Sequence, residues 1–258
     1  VLLQAQQKLN EGAAVMSPRY ATVNPAANAG LVEGMKGLFN PTDTISRQFK
    51  NGMMGMGVLG FDEVNMSQSI KQHTTGDWGT GITVTSTVTT EGATSVGLSF
   101  TGSSKTWNIG DVFTIADVYA VNPQTRESTG SLQQFTVTAV ATGSSTTTVS
   151  VSPAMYTPAN ALATVNSLPV AGKTVTMLGA ANTQYAQNLV YHRDAISFAT
   201  ADLLLPQGVD MASRQVHNGI SLRVVRQYDI NNDRLPCRID VLYGYSAIRP
   251  QMACRLWG

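Results

Sequence analysis

Charge is scarce in this chain. Seventeen Lys and Arg stand against 16 Asp and Glu in 258 residues, a formal net of +1. Electrostatic gripping of nucleic acid needs a basic face to displace counterions from phosphates, and this balance supplies none. Low charge also leaves neutral polar and apolar surface of the kind that neighbouring subunits cover. Cysteine occurs only at Cys237 and Cys254, both placed by alternation on apolar strand faces, so two buried free thiols are expected ahead of a disulfide. No apolar run approaches the about 20 residues of a membrane span, and no signal peptide opens the chain. The chain starts without Met, on Val1 to Leu9 with apolar residues at helical spacing. This start reads as the end of a helix already under way, so the sequence is expected to be an internal-to-C-terminal fragment.

Recognisable chemistry is also lacking. His73, His192 and His217 are far apart and none has metal-ligand spacing with another. No nucleophile elbow, Walker loop or zinc-protease helix occurs. Gly55-Met-Gly57-Val-Leu-Gly60, with Asp77 further on, matches the dinucleotide fingerprint. That fingerprint needs a strand before and a helix after it, so that pyrophosphate meets free N–H groups. Phe49 to Gly52 and Phe61 to Met66 offer neither, so a nucleotide-dependent enzyme is set aside and the segment reads as a flexible, Met-rich contact loop. Asp229, Asn231, Asp233 and Asp240 fit a calcium loop, but Arg234 stands where Gly is required, Pro236 intervenes and the flanks alternate like strands. A hairpin turn capped by Asn and Asp side chains is expected there. His192-Arg193-Asp194 reads as polar residues beside a strand over Ala195 to Phe198. The expectation is a protein without enzymatic activity, cofactor or metal.

What is present divides by composition. Gly12, Ser17-Pro18 and Asn24-Pro25 break the first helix into loop or extended chain. Leu31, Val32, Met35, Leu38 and Phe39 predict a helix stopped by Asn40-Pro41, where Asn40 caps a second short helix with Pro41 and Asp43 in its first turn. From Gly79 the chain turns to Thr, Ser, Val and Gly, with strands predicted at Ile82 to Thr89, Val96 to Phe100, Val112 to Tyr119, Phe135 to Val140, Thr147 to Val151 and Thr174 to Leu178. Six short strands joined by Gly and Ser turns make a small sandwich or barrel, inserted over 79–180 into another domain. A helix-containing style is expected to resume near Ala180. The end alternates again: Ile220, Leu222, Val224 and Tyr228, then Cys237, Ile239, Val241 and Tyr243, then Met252, Cys254 and Leu256 share faces of three strands built into a sheet.

The Tyr243-Gly244 step, the Arg249-Pro250 pair and the final apolar strand from Met252 to Leu256 resemble the ending of coat proteins of short-tailed, double-stranded DNA phages of the Salmonella phage P22 type. Phe61 to His73 with Gly76, Asn108 to Asp111, Phe135 to Val140 and Asp194 to Phe198 occur in the order that family uses. The resemblance implies an α+β chain with the Hong Kong 97 phage-type capsid fold. Residues 1–12 would end its spine helix, 13–78 and 181–219 form the apical domain, 79–180 the inserted β-barrel and 220–258 the core-domain strands. It implies a major capsid protein that assembles into hexamers and pentamers of an icosahedral shell, in the virion, enclosing double-stranded DNA non-specifically. Scaffolding and portal proteins would be its partners, with no membrane, and assembly would take place in the reducing host cytoplasm.

Subunit or inner-surface contacts are assigned to Arg223, Arg226, Arg238, Asp240, Arg249 and Arg255. In the family a long charged loop of the inserted domain reaches a neighbouring capsomer. Here Thr85 to Ser95 carries only Glu91 as a charge, and Arg126 with Glu127, in the turn-rich stretch Asn122 to Gly130, are the projecting pair. A competing reading makes 79–180 an adhesin or carbohydrate-binding module, which requires exposed aromatics; Trp78, Trp107 and Tyr119 are available.

Overall fold

A computed structural model describes residues 2–35 and 55–257. The helix expected to end at Asn40-Pro41 and the one capped by Asn40 fall largely outside the described residues. Helix α1 (Leu2–Glu11) buries Leu2, Ala5 and Leu9, the three- and four-residue spacing of a helix face. Strand β1 (Arg19–Val23) follows. Asn24-Pro25 starts a helix instead of a loop: the Asn24 side chain accepts the Ala27 N–H at 3.0 Å, and Pro25 takes the first position of α2 (Pro25–Met35).

Strands β2 (Gly55–Val58) and β3 (Phe61–Met66) form a tight hairpin. Leu59 and Gly60 have φ of 52° and 78°, a two-residue turn of the type that matches strand twist. The glycine-rich segment is therefore a strand and turn, not a flexible loop, and no helix follows it. After β4 (Gln72–Thr74) the chain enters the Thr-rich region.

All six predicted strands are there: β5 (Thr80–Val84), β6 (Ala93–Thr101), β8 (Val112–Val121), β9 (Ser128–Val137), β11 (Thr146–Met155) and β12 (Val175–Met177). Two short strands unforeseen from the sequence, β7 (Lys105–Trp107) and β10 (Ala141–Gly143), pair with each other. The order β12-β8-β9-β11-β6-β5 closes on itself through a Thr83–Thr174 bridge and the Val84 N–H donating to Lys173 O at 2.9 Å. Trp107, Phe113, Phe135, Leu98, Ile115 and Val149 fill the barrel and are fully buried. Phe100 meets Trp107 edge-on with 4.7 Å between ring centroids. Each such side chain contributes about 1.5–3 kcal/mol of burial.

The chain then returns to the first sheet as β13 (Gln184–His192), where a helix-containing style was expected. Its alternate residues Ala186, Asn188, Val190 and His192 are buried, and two of these four are polar, which masks the period of two. Strand β13 pairs β1, β4 and the last strand. A 3-10 turn (Arg193–Ala195) leads to β14 (Ile196–Ala201), β15 (Met211–His217), β16 (Ile220–Arg226) and β17 (Cys237–Ala247), which form a four-stranded antiparallel sheet in the order β14-β17-β16-β15. A second 3-10 turn, opened by Pro250, precedes β18 (Ala253–Trp257). Residues 194–250 form one compact unit and the rest of the chain another. In the latter, β18 sits at the edge of the sheet β18-β13-β1-β3-β2 and packs against α1.

The barrel's root is tightly stitched. The two crossings of the chain bind each other: Thr75 N–H donates to Thr183 O at 3.0 Å and Asn182 N–H to Gly76 O at 3.1 Å, while the Thr75 hydroxyl donates to Ala180 O at 2.7 Å. Gly76 is required by space, because a Cβ there would lie 3.0 Å from the Asp111 carboxylate and against the Thr106 carbonyl.

Candidate assembly surfaces

The register of the four-stranded sheet sorts its side chains. Leu222 lies opposite Val241 and Val224 opposite Ile239; Phe198 lies opposite Tyr245 and Thr200 opposite Tyr243; Met211 lies opposite Arg226. One face therefore carries Ile196, Phe198, Met211, Ile220, Leu222, Val224, Ile239, Val241, Tyr243 and Tyr245. An antiparallel sheet with such a face ordinarily packs it on a core. Here nearly all of these side chains are exposed, Ile239 at 67 % and Tyr245 at 77 %. Cys237, expected to be buried, belongs to this face and is exposed; Cys254 is half-buried, and both thiols are free. The alternation behind the expectation is real, but no other segment of residues 194–250 covers the face.

The opposite face carries the charges. Asp240 accepts from Arg223 at 2.5 and 3.1 Å and from Arg238 at 2.5 Å, and hydrogen bonds from Arg223 and then Arg238 hold its carboxyl below the usual carboxylate range. The Arg223 Nη1 also donates to Leu204 O at 2.6 Å, so its guanidinium is occupied within the chain. Arg238 remains largely exposed beside Asp240. Arg226 is not on this face: it lies across from Met211 and Cys237 at the end of the apolar face and pairs with Asp210 at 2.8 Å; both are nearly half exposed, so the pair is worth at most about 1 kcal/mol. The turn between β16 and β17 is the expected Asx-capped hairpin: Asp229 accepts the Asn231 N–H at 3.0 Å and the Asn232 amide at 2.8 Å. Among the described residues no group of three or more His, Cys, Asp and Glu is placed to hold a metal.

The other assigned residues are scattered. Arg249 is exposed beyond β17, with its N–H donating to Ala195 O at 3.2 Å. Arg255 on β18 is turned inward, donating to Gln187 Oε1 at 3.0 Å and Gly110 O at 2.8 Å, with burial lowering its pKa. Arg126 and Glu127 are exposed at the end of the β8–β9 turn. That turn is held by Asn122, whose carbonyl accepts the Arg126 N–H at 2.8 Å and whose side chain accepts the Gln124 N–H at 2.9 Å. The sheet thus gathers Arg223, Arg238 and Asp240 on one face, carries Arg226 at the end of the other, and leaves Arg126, Glu127, Arg249 and Arg255 elsewhere.

The sugar-stacking reading loses its aromatics: Trp78 and Trp107 are buried in the barrel core and Tyr119 is half-buried. Missed from the sequence were Phe198, Tyr243 and Tyr245 as surface groups. Their alternation was legible, but exposure is a property of what fails to cover them. No helix among the described residues is long and apolar enough to cross a membrane. The family model described as P22 coat protein, gene protein 5, matches residues 4–258. No curated protein matches the chain.

Proposed function

The chain belongs to the P22 coat protein family, and from that premise we propose that its copies assemble into the icosahedral shell that encloses a double-stranded DNA phage genome. The observation that carries the reading is the uncovered apolar face of the β14-β17-β16-β15 sheet. Contiguous apolar surface of this kind marks an interaction site, and covering it supplies the free energy that a shell needs from repeated contacts, each weak enough to be corrected before closure. The other face, with its Arg223–Asp240–Arg238 network, and the exposed Arg126–Glu127 turn offer charged groups to set register between neighbours.

In this reading the fold is of the Hong Kong 97 phage type. Helix α1 is the end of the spine helix, a placement supported by its packing on β18. Segments 13–78 and 181–219 form the apical domain, and 220–258 supply core strands. Residues 79–180 are an inserted domain, supported by one contiguous segment that forms a closed barrel with its own core. Scaffolding and portal proteins are the assembly partners in the host cytoplasm, and DNA is enclosed without sequence contacts, in keeping with the near-neutral charge. The test is electron microscopy of the full-length protein co-expressed with its scaffolding protein. Uniform icosahedral particles or capsomer rings are expected; a protein that stays monomeric under all such conditions overturns the proposal.

A further inference from the structure

Asp111 immediately precedes β8, with its side chain wholly out of solvent. One carboxylate oxygen accepts three N–H groups: Gly76 at 3.1 Å, the Trp78 indole at 2.9 Å and Asn108 at 2.8 Å. The other accepts the His73 Nε2–H at 2.9 Å. A buried carboxylate with one partner is costly, whereas one with four charge-assisted donors organises everything that donates to it. The donors come from both sides of the barrel's boundary. His73 lies on β4 of the carrier sheet, Gly76 on the crossing, and Trp78 and Asn108 belong to the barrel.

Two further contacts tie the same bodies. Arg255, on the edge strand of the carrier sheet, reaches Gly110, the residue before Asp111, at 2.8 Å. On the barrel's flank the Ser131 hydroxyl donates to Glu11 Oε1 at 2.9 Å, the last residue of α1. From Asp111, the ten residues of β8 run about 30 Å to the Arg126–Glu127 turn. A small rotation at the root would sweep that turn through many ångströms.

We propose that Asp111 is a positioning residue: with Arg255 and Glu11 it fixes the barrel on the sheet and helix that carry it, so that the Arg126–Glu127 turn is presented in one set direction. The barrel has a core of its own beside this mount: Leu98, Phe113, Phe135 and Val149 lie within the closed sheet. All of these contacts lie within a single chain and need no neighbouring copy.

Asp111→Ala would strand four donors and endanger the barrel itself, so the decision rests on Asp111→Asn and on the double variant His73→Phe with Arg255→Gln, both in the full-length protein. Hydrogen exchange is read on peptides covering 74–79, 106–111 and 180–184, and on β6 and β11. The junction peptides are expected to exchange on the order of 10- to 100-fold faster, with β6 and β11 unchanged. A dye at Gln124→Cys in a Cys237→Ser background should then show a fast anisotropy decay that the parent lacks. Unchanged junction exchange, or a fast decay already present in the parent, overturns the proposal. Loss of protection in β6 and β11 along with the junction overturns it as well, since Asp111 would then hold the barrel's fold and not its direction.

Discussion

Phe198 on β14 and Tyr243 on β17 stack with 6.1 Å between ring centroids and 28° between ring planes, yet both rings are more than half exposed. Aromatic pairs ordinarily stack to leave water. This pair does so only on its inner sides, and its outer sides form part of the uncovered sheet face.

A charge placed on that face separates assembly from stability. Tyr243→Asp and Phe198→Asp are expected to leave the thermal midpoint of the free chain within a few degrees, as surface changes of about 0.5 kcal/mol do. They should raise the concentration needed for assembly by at least about tenfold, since a buried unpaired carboxylate costs several kcal/mol. Scattering and sedimentation on the same samples read both. Unaltered assembly would place the contacts elsewhere.

Cys237 reports on the same surface without substitution. It is exposed, while burial pushes the Cys254 thiol up, and the thiolate is the reactive form. With an aromatic disulfide reagent at about pH 8, near the ordinary thiol value, one fast and one slow thiol are expected in the free protein. The fast one should become slow in assembled particles.

The Asp240 network gives a pH dependence of definite sign. Arg223 and then Arg238 hold this carboxyl below its ordinary range. Its contribution is therefore complete above the unfolded carboxylate value and is lost as pH falls through the lower folded value, below about pH 4. Asp240→Asn should flatten the acid decline of the thermal midpoint relative to the parent. A parallel decline in both would show that the network does not stabilise the sheet.

Phe135→Ala tests the barrel core. Its ring is fully buried against Phe113, with centroids 5.9 Å apart, so a loss of about 3–5 kcal/mol is expected. Denaturant unfolding followed by exchange in β6 and β11 checks it. Protection should fall in these strands and persist in β1, β3 and β13.

The barrel was legible because its strands alternate and Gly and Ser punctuate them: Val96, Leu98 and Phe100 alternate with Gly97 and Ser99, and each of the three is buried. Strand β13 was not, because Asn188 and His192 occupy buried positions. The Asn188 side chain accepts the Asn24 N–H at 2.7 Å, a partner 164 residues away that no local period announces. The Asp111 site was illegible for the same reason, as its donors are spread from His73 to Asn108. Arg223 and Asp240 were picked out as subunit or inner-surface contacts, and their bond to each other across β16 and β17 was not foreseen.

The Thr83–Thr174 bridge has a consequence for a chain that must exist in many copies at high local concentration. An open six-stranded sheet would present two rows of unpaired N–H and C=O groups, each a template on which a neighbour's strand could add. By joining its first strand to its last, the Thr-rich segment withdraws those templates. A barrel closed in this way offers a neighbouring copy side chains in place of the two free edges of an open sheet.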